Sequence, residues 1–284
     1  MSRNDWARVS RERHCPRCDH PDWCLIARDG SACICQRVES DKRIGDAGWL
    51  HKLADPVGLP TPMWTEQPPP PPQVNFGALH EECLANLHSG DGLHLKLGLS
   101  IDSLARMGLG WHRAHGCYTF PMMDHKRRII GLRTRFPDGR KACIVGSRTG
   151  LFIPLGLNAS ELWIVEGPTD CAALLGLGFN AIGRPSNTGG HDEMVSLVDE
   201  FSLNGNRIKS VVILYDRDAP KSVAERATTN GAKRLAASLV SIGRYVRMFR
   251  PPHKKDVRQW VIDGADRRTV QYVADAAAYA RREG

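Results

Sequence analysis

WIVEGPTDCAALLGLG, residues 163–178, is an apolar run that stops at an acid and restarts as a helix. Leu162, Trp163, Ile164 and Val165 read as a buried strand. Glu166, Gly167-Pro168 and Asp170 interrupt it, and an Ala/Leu-rich helical pattern follows. A carboxylate where a buried strand hands over to a helix is costly unless it binds a cation or handles a proton.

A second run, VVILYDRDAP (211–220), has the same form and ends in Asp216-x-Asp218. Around the two, the pattern predicts strands over 161–165, 180–182, 210–215 and 245–249. Helices are predicted over 169–177, 222–241, 256–262 and 267–281. Strands alternating with helices imply a mainly parallel sheet flanked by helices. In such a sheet the strand C-termini share one edge, where ligands bind. Glu166, Asp170, Asp216 and Asp218 are therefore expected in one crevice. Four acids there repel one another unless cations join them, and oxygen ligands suit Mg²⁺ or Mn²⁺. Two such ions are a recurrent device for phosphoryl chemistry. The glycine-rich loop GRPSNTGG (183–190) is expected near the same edge, with backbone amides available to phosphates. A lone Asp-x-Asp is often a solvated turn; two acid-ended strands argue for a site.

Upstream, residues 76–115 read as helical with turns. The stretch YTFPMMDHKRRIIGLRTRFPDGRKACIVG (118–146) and its flanks carry strand-like runs at Cys117–Met122, Arg128–Phe136 and Lys141–Val145. Turn chemistry at Asp124-His125 and Pro137-Asp138-Gly139 separates them. Between Lys126 and Arg148 the chain carries Lys126, Arg127, Arg128, Arg133, Arg135, Arg140, Lys141 and Arg148 against the single acid Asp138. Such a row suits a phosphate backbone; a solvated basic hairpin is the plainer alternative. On a strand, Arg133 and Arg135 point the same way.

The amino-terminal end is chemically separate. Five of the nine cysteines lie in the first 35 residues (Cys15, Cys18, Cys24, Cys33, Cys35). Cys15-x-x-Cys18 is a knuckle spacing that turns two thiolates toward one metal. Asp29-Gly30 is a two-residue hairpin signal. Pairing Arg28 with Ser31 and counting outward sets Cys24 opposite Cys35, and Cys33 opposite Ile26. Cys15, Cys18, Cys24 and Cys35 are thus the expected ligands of a zinc ribbon, with Cys33 spare and His14, His20 and His51 as substitutes. The proline-rich stretch DPVGLPTPMWTEQPPPPPQ (55–73) reads as a semi-rigid spacer. The expected division is a zinc module (1–54), a proline-rich linker (55–75), a basic subdomain (76–160) and an α/β catalytic subdomain (161–284).

The chain of 284 residues carries a formal charge of +8, which favours an acidic partner such as nucleic acid. No apolar run approaches the ~20 residues that span a bilayer, and the charged N-terminus has no signal-peptide core. A cytoplasmic protein without a membrane partner is expected.

VEGPTD followed some 45 residues later by YDRD resembles the TOPRIM domain of bacterial-type primases, topoisomerases and some nucleases. The resemblance implies a general-base role for Glu166, metal ligation by Asp216 and Asp218, and a further acid of the first motif in Asp170. Asp256, in KKDVRQWV, is similar to an acid that follows the last core strand in primases. YTFPMMDHKRRIIGLRTRF, SIDSLARMGLGW and GLFIPLGL resemble segments that precede TOPRIM in DnaG-type primases, in the same order and behind a cysteine-rich ribbon. Arg135 and Lys141 match the basic ridge that guides template or nucleotide phosphates, and Arg133, Arg140 and Arg148 extend it.

Two departures stand out. Primase ribbons commonly use one histidine and three cysteines at other spacings, and Arg217 occupies the small-residue position inside Asp-x-Asp. The chain also ends soon after TOPRIM, without room for a helicase-binding domain, which suggests a phage, plasmid or mobile-element enzyme. The implied activity is primer synthesis from ribonucleoside triphosphates on single-stranded DNA, with a separately encoded helicase or polymerase as a possible partner. The alternatives are a TOPRIM metal-dependent nuclease and a non-catalytic single-stranded-DNA-binding accessory. A topoisomerase needs a gate-forming region for which this chain is too short.

Overall fold

Four short antiparallel strands build the cysteine-bearing end: β1 (Trp6–Arg8), β2 (Leu25–Ala27), β3 (Ala32–Cys35) and β4 (Trp49–Lys52), in the order β1-β2-β3-β4. The β2–β3 turn closes on Gly30 at φ 73°, and the Asp29 carboxylate accepts from the Ser31 amide and hydroxyl. The ladder pairs Leu25 with Ile34 and Ile26 with Cys33, so one step further Cys24 meets Cys35. The core is small: Val9, Ile26 and the cysteines. The structure, a computed structural model, describes residues 6–53, 74–88, 92–157, 160–203 and 208–280. All but the last two residues of the expected 55–75 linker lie outside these. Contacts divide the chain into two units, Met1–Pro70 and Pro71–Gly284.

The second unit opens with three helices, α1 (Phe76–Ala85), α2 (Leu93–Leu97) and α3 (Ile101–Arg106). An antiparallel sheet follows, with β5 (Gly110–His112), β6 (Cys117–Met123), β7 (Ile129–Arg135) and β8 (Lys141–Cys143) in sequential order. The helical reading of 76–115 therefore fails at its end. Gly110–His112 pairs with β6, and bare Gly110 lets α1 approach, because a Cβ there would lie 2.8 Å from Cys83 Cβ.

The remainder is an α/β layer. Its elements are β9 (Glu161–Glu166), α4 (Pro168–Gly176), β10 (Ala181–Arg184), α5 (His191–Leu203), β11 (Ser210–Leu214), α6 (Val223–Ser241), β12 (Tyr245–Phe249), α7 (Val257–Ile262) and α8 (Arg267–Ala276). The strands are all parallel, in the order β10-β9-β11-β12. Alternate residues serve opposite faces. Trp163, Val165, Val212 and Leu214 join one core, and Leu162, Ile164, Val211 and Ile213 join the other. Burial on both faces explains why these strands read as unbroken apolar runs. This is the layered architecture expected of TOPRIM.

Two elements differ from the sequence reading. Nothing was expected between 190 and 210, yet α5 buries Met194, Leu197, Val198 and Phe201 at helical spacing. The last helix stops at Ala276 rather than 281, and the chain then bridges β12 through Arg247 and Tyr279.

The segment after the antiparallel sheet joins it to the parallel one through two isolated bridges. Leu151 bridges Met123 of β6, and Phe152 bridges Gly183 of β10. The approach is close: a Cβ on Gly150 would fall 2.6 Å from the Met123 carbonyl, and one on Gly183 would fall 2.5 Å from that of Gly167. Among the described residues no helix is long and apolar enough to cross a membrane.

Candidate functional site

The handover after β9 is made by Gly167, at φ 82°, and by Pro168 in the first turn of α4. A positive φ is cheap only for glycine, and proline's missing amide costs nothing at a helix start. This corner leaves Glu166 at the strand end and Asp170 in the first helical turn. Asp216 follows β11 by two residues. All three line a cleft of ≈ 250 Å³, together with Asp256, the N-cap of α7. The opposing side chains are Arg133 and Arg135 of β7 and Lys141 of β8, with Lys255 and Arg258 also lining the cleft.

The acids are crowded and poorly solvated. Asp170 is 8% exposed, and burial, then Asp256, pushes its pKa up to about 7. The Arg258 amide donates to its Oδ1 at 3.1 Å and works against that rise. Asp216 goes up to about 8 through burial, then through repulsion by Asp170, Glu166 and Asp256. Glu166 is also raised, by burial first; Arg184 opposes the rise and Asp218 adds to it. On the basic side, burial and then Arg258 lower Arg135. An all-carboxylate, mutually repelling donor set fits a hard divalent cation. The carboxylate oxygens are nevertheless not drawn together. Among the described residues, the group of side chains at metal-ligand spacing is the cysteine cluster.

Asp218 does not line the cleft. Its Oδ2 accepts from Thr228 Oγ on α6 at 2.7 Å. The Asp-x-Asp pair is therefore split, with Asp216 in the cleft beside Glu166, Asp170 and Asp256, and Asp218 bonded to α6. Arg217 between them is turned away, donating its Nε to the Pro251 carbonyl at 2.8 Å. Arg140 lies over the Phe136 ring at 4.0 Å, beside Asp138, and Arg148 is exposed; neither lines the cleft. The 183–190 loop uses its polar groups partly on itself and partly on its neighbours: Arg133 donates to the Pro185 carbonyl at 3.1 Å and the Asn187 side-chain amide donates to Thr228 Oγ at 3.1 Å. Arg184 donates to the Asn187 carbonyl at 2.7 Å and the Gly189 carbonyl at 3.3 Å, and the Gly189 amide donates to Ser186 Oγ at 2.9 Å.

The sequence reading passed over Lys255, Arg258, Arg184, Asn187 and Thr228. Lys255 and Arg258 flank Asp256 within KKDVRQWV, so their neighbour was already a signal. Arg184 is an arginine ending an apolar strand, directly opposite Glu166 in the parallel ladder. Its burial lowers its pKa to about 10.

In the first unit, the Sγ atoms of Cys15, Cys18, Cys24 and Cys35 all lie within 4.8 Å of one another. Backbone amides point at them: Gln36 to Cys24 at 3.5 Å, Arg37 and Val38 to Cys35 at 3.4 and 3.3 Å. Burial pushes the Cys24 thiol up to about 12. At Cys18, the amide of His20 and neighbouring thiols outweigh burial and bring it down to about 7. This is a four-cysteine cluster of the kind that holds structural zinc. Cys33 is buried outside it, opposite Ile26 as the register requires.

Neither a protein-family model nor a curated protein matches the chain. Solved structures do. An E. coli primase catalytic core is 19% identical, covering 72% of this chain and 79% of that one at a TM-score of 0.55. A DnaG primase catalytic domain bound to single-stranded DNA is 17% identical, covering 72% and 78% at 0.55. The zinc-binding and RNA polymerase domains of Aquifex aeolicus primase are 13% identical, covering 99% and 81% at 0.55. The likeness is distant, and it shows the fold of primase catalytic cores.

Proposed function

We propose that the chain is a DNA primase, making short RNA primers on single-stranded DNA by metal-dependent nucleotidyl transfer. The observation that carries this reading is the cleft itself. Glu166, Asp170, Asp216 and Asp256 face Arg133, Arg135 and Lys141 across a gap within a primase-like fold. A triphosphate and a template strand both need cations around their phosphates and acids for divalent metal, and the cleft lining supplies both. The primase structure bound to single-stranded DNA shares the fold and supports the choice of template.

In this reading Arg133, Arg135 and Lys141 hold the template or triphosphate phosphates, and Lys255 and Arg258 add charge at the triphosphate end. Asp216 and Asp218, with Glu166 or Asp170, would hold Mg²⁺ or Mn²⁺. When bound, such ions neutralise the triphosphate and lower the pKa of the attacking 3′-hydroxyl. The hydroxyl attacks the α-phosphate and pyrophosphate leaves; the chain's own contribution is positioning and charge. Cys15, Cys18, Cys24 and Cys35 would hold a structural zinc that stabilises a module with a very small core. The 55–75 segment joins the two parts.

The test is a synthesis assay on mixed single-stranded templates, with four ribonucleotides, Mg²⁺ or Mn²⁺, and Asp216→Ala in parallel. Labelled oligomers from wild type and none from the variant are expected. Metal-dependent degradation of labelled nucleic acid without synthesis would replace this reading with a nuclease. Template binding with neither activity would replace it with a binding accessory.

A further inference from the structure

The polar contacts behind the cleft form a connected chain. Arg184 faces Glu166 across the β9–β10 ladder and donates to the Asn187 carbonyl at 2.7 Å. Glu166, Arg184, Asn187 and Thr228 line one small recess behind the cleft. The Asn187 side-chain amide donates to Thr228 Oγ at 3.1 Å, and that hydroxyl donates in turn to Asp218 Oδ2 at 2.7 Å. Thr228 is 3% exposed and sits on the buried face of α6. One turn on, Gly231 carries no Cβ because one would collide with the Asn187 carbonyl, so the loop backbone lies directly on the helix. The 184–187 corner and α6 therefore bring Glu166 and the Thr228–Asp218 bond to one place. A hydroxyl that must accept from Asn187 has its hydrogen directed at Asp218, which leaves one Asp218 oxygen committed and the other free.

We propose that Thr228, oriented by Asn187, is a positioning residue that fixes Asp218 beside Glu166 and thereby sets the divalent-cation affinity of this acid pair. The proposal rests on the reading of these acids as a metal site. It adds that Asp218 works from the α6 side while Asp216 works within the cleft. Thr228 lies outside the cleft lining and acts through Asp218. Partners that orient a ligating carboxylate commonly change metal affinity about 10–100-fold when removed.

The experiment is a Mn²⁺ titration of the full chain followed by electron paramagnetic resonance, with primer synthesis measured against Mn²⁺ and against nucleotide concentration. Thr228→Val keeps the shape and removes the hydroxyl. It should weaken Mn²⁺ binding about tenfold or more and raise the metal requirement for synthesis, with nucleotide KM unchanged. Thr228→Ser should restore both, a rescue that a packing role for the methyl group would not give. Asn187→Ala should shift affinity in the same direction by a smaller factor, and it reports the same network if the valine variant does not fold. Binding abolished in Asp218→Ala but wild-type in Thr228→Val and Asn187→Ala would overturn the positioning role alone. Absence of saturable Mn²⁺ binding in wild type would overturn the metal reading and this inference with it.

Discussion

The acid cluster makes a quantitative prediction for the metal-free protein. Asp216 moves from the ordinary aspartate value of 3.8 up to about 8, through burial and then through Asp170, Glu166 and Asp256. A raised carboxyl means that the folded state binds a proton the unfolded chain has already lost. Stability is therefore highest at low pH and is lost as pH rises toward the folded value. Between about pH 6 and about pH 8.5 the unfolded carboxylate is fully ionised, while the folded one ionises only late. Integrating that difference gives about 2.5 kcal/mol lost for Asp216. Asp170, raised to about 7, would add about 1.4 kcal/mol if it titrated alone. The two repel one another and titrate as a pair, so the sum overcounts, and about 2–3 kcal/mol is the working figure.

The assay is thermal unfolding of wild type and Asp216→Asn at both pH values in Mg²⁺-free buffer without chelator, so that the cysteine centre keeps its metal. Histidines and surface charges titrate equally in both proteins, and the difference isolates the cluster. For a unit of this size, about 2–3 kcal/mol corresponds to roughly 5–10 °C. The Tm advantage of Asp216→Asn over wild type should be larger by that amount at about pH 8.5 than at about pH 6. Added Mg²⁺ should raise the wild-type Tm at the higher pH more than that of the variant. Parallel pH profiles would refute the reasoning, because they would mean that the acids are solvated and do not feel one another.

Other outcomes follow from particular contacts. Purified protein should carry one zinc per chain by elemental analysis; Cys24→Ser should lose it, whereas Cys33→Ala should retain it and lose only about 1 kcal/mol of packing. Arg135→Gln should weaken single-stranded DNA binding in fluorescence anisotropy and lower the salt slope by about 0.7, while Arg148→Gln, outside the cleft, should leave synthesis nearly unchanged. Gly183→Ala should destabilise the second unit by about 1–3 kcal/mol in denaturant unfolding, because its methyl meets the Gly167 carbonyl at the corner that carries Glu166.

How much of this was legible depended on whether the information was local. The β9 and β11 runs were readable because strands buried on both faces show as short continuous apolar stretches, and each ends in an acid within its own motif. The cysteine register was readable from Asp29-Gly30 alone, since a two-residue turn fixes every pair outward from it. The α5 helix also had the necessary spacing in Met194, Leu197, Val198 and Phe201. It starts after Gly190 without a side-chain cap and is diluted by Asp192, Glu193, Asp199 and Glu200, so it read as loop.

The cationic half of the site was less legible for a topological reason. Arg133 and Arg135 come from β7, Lys141 from β8, and Lys255 and Arg258 from the entry to α7. None of these segments is adjacent to Glu166, Asp170 or Asp216 in sequence, although Lys255 and Arg258 flank Asp256. They meet Glu166 and Asp170 because residues 150–153 join the two sheets through the single bridges at Leu151 and Phe152. One residue pair on each side is too short to leave a periodic trace. The same holds for Asp218, whose partner Thr228 is ten residues on and is in turn held by Asn187, from a loop that Gly231 lets settle on α6. An acid at a strand end signals that a site exists. The groups that decide its charge balance and geometry come from elements that only the assembled fold brings together.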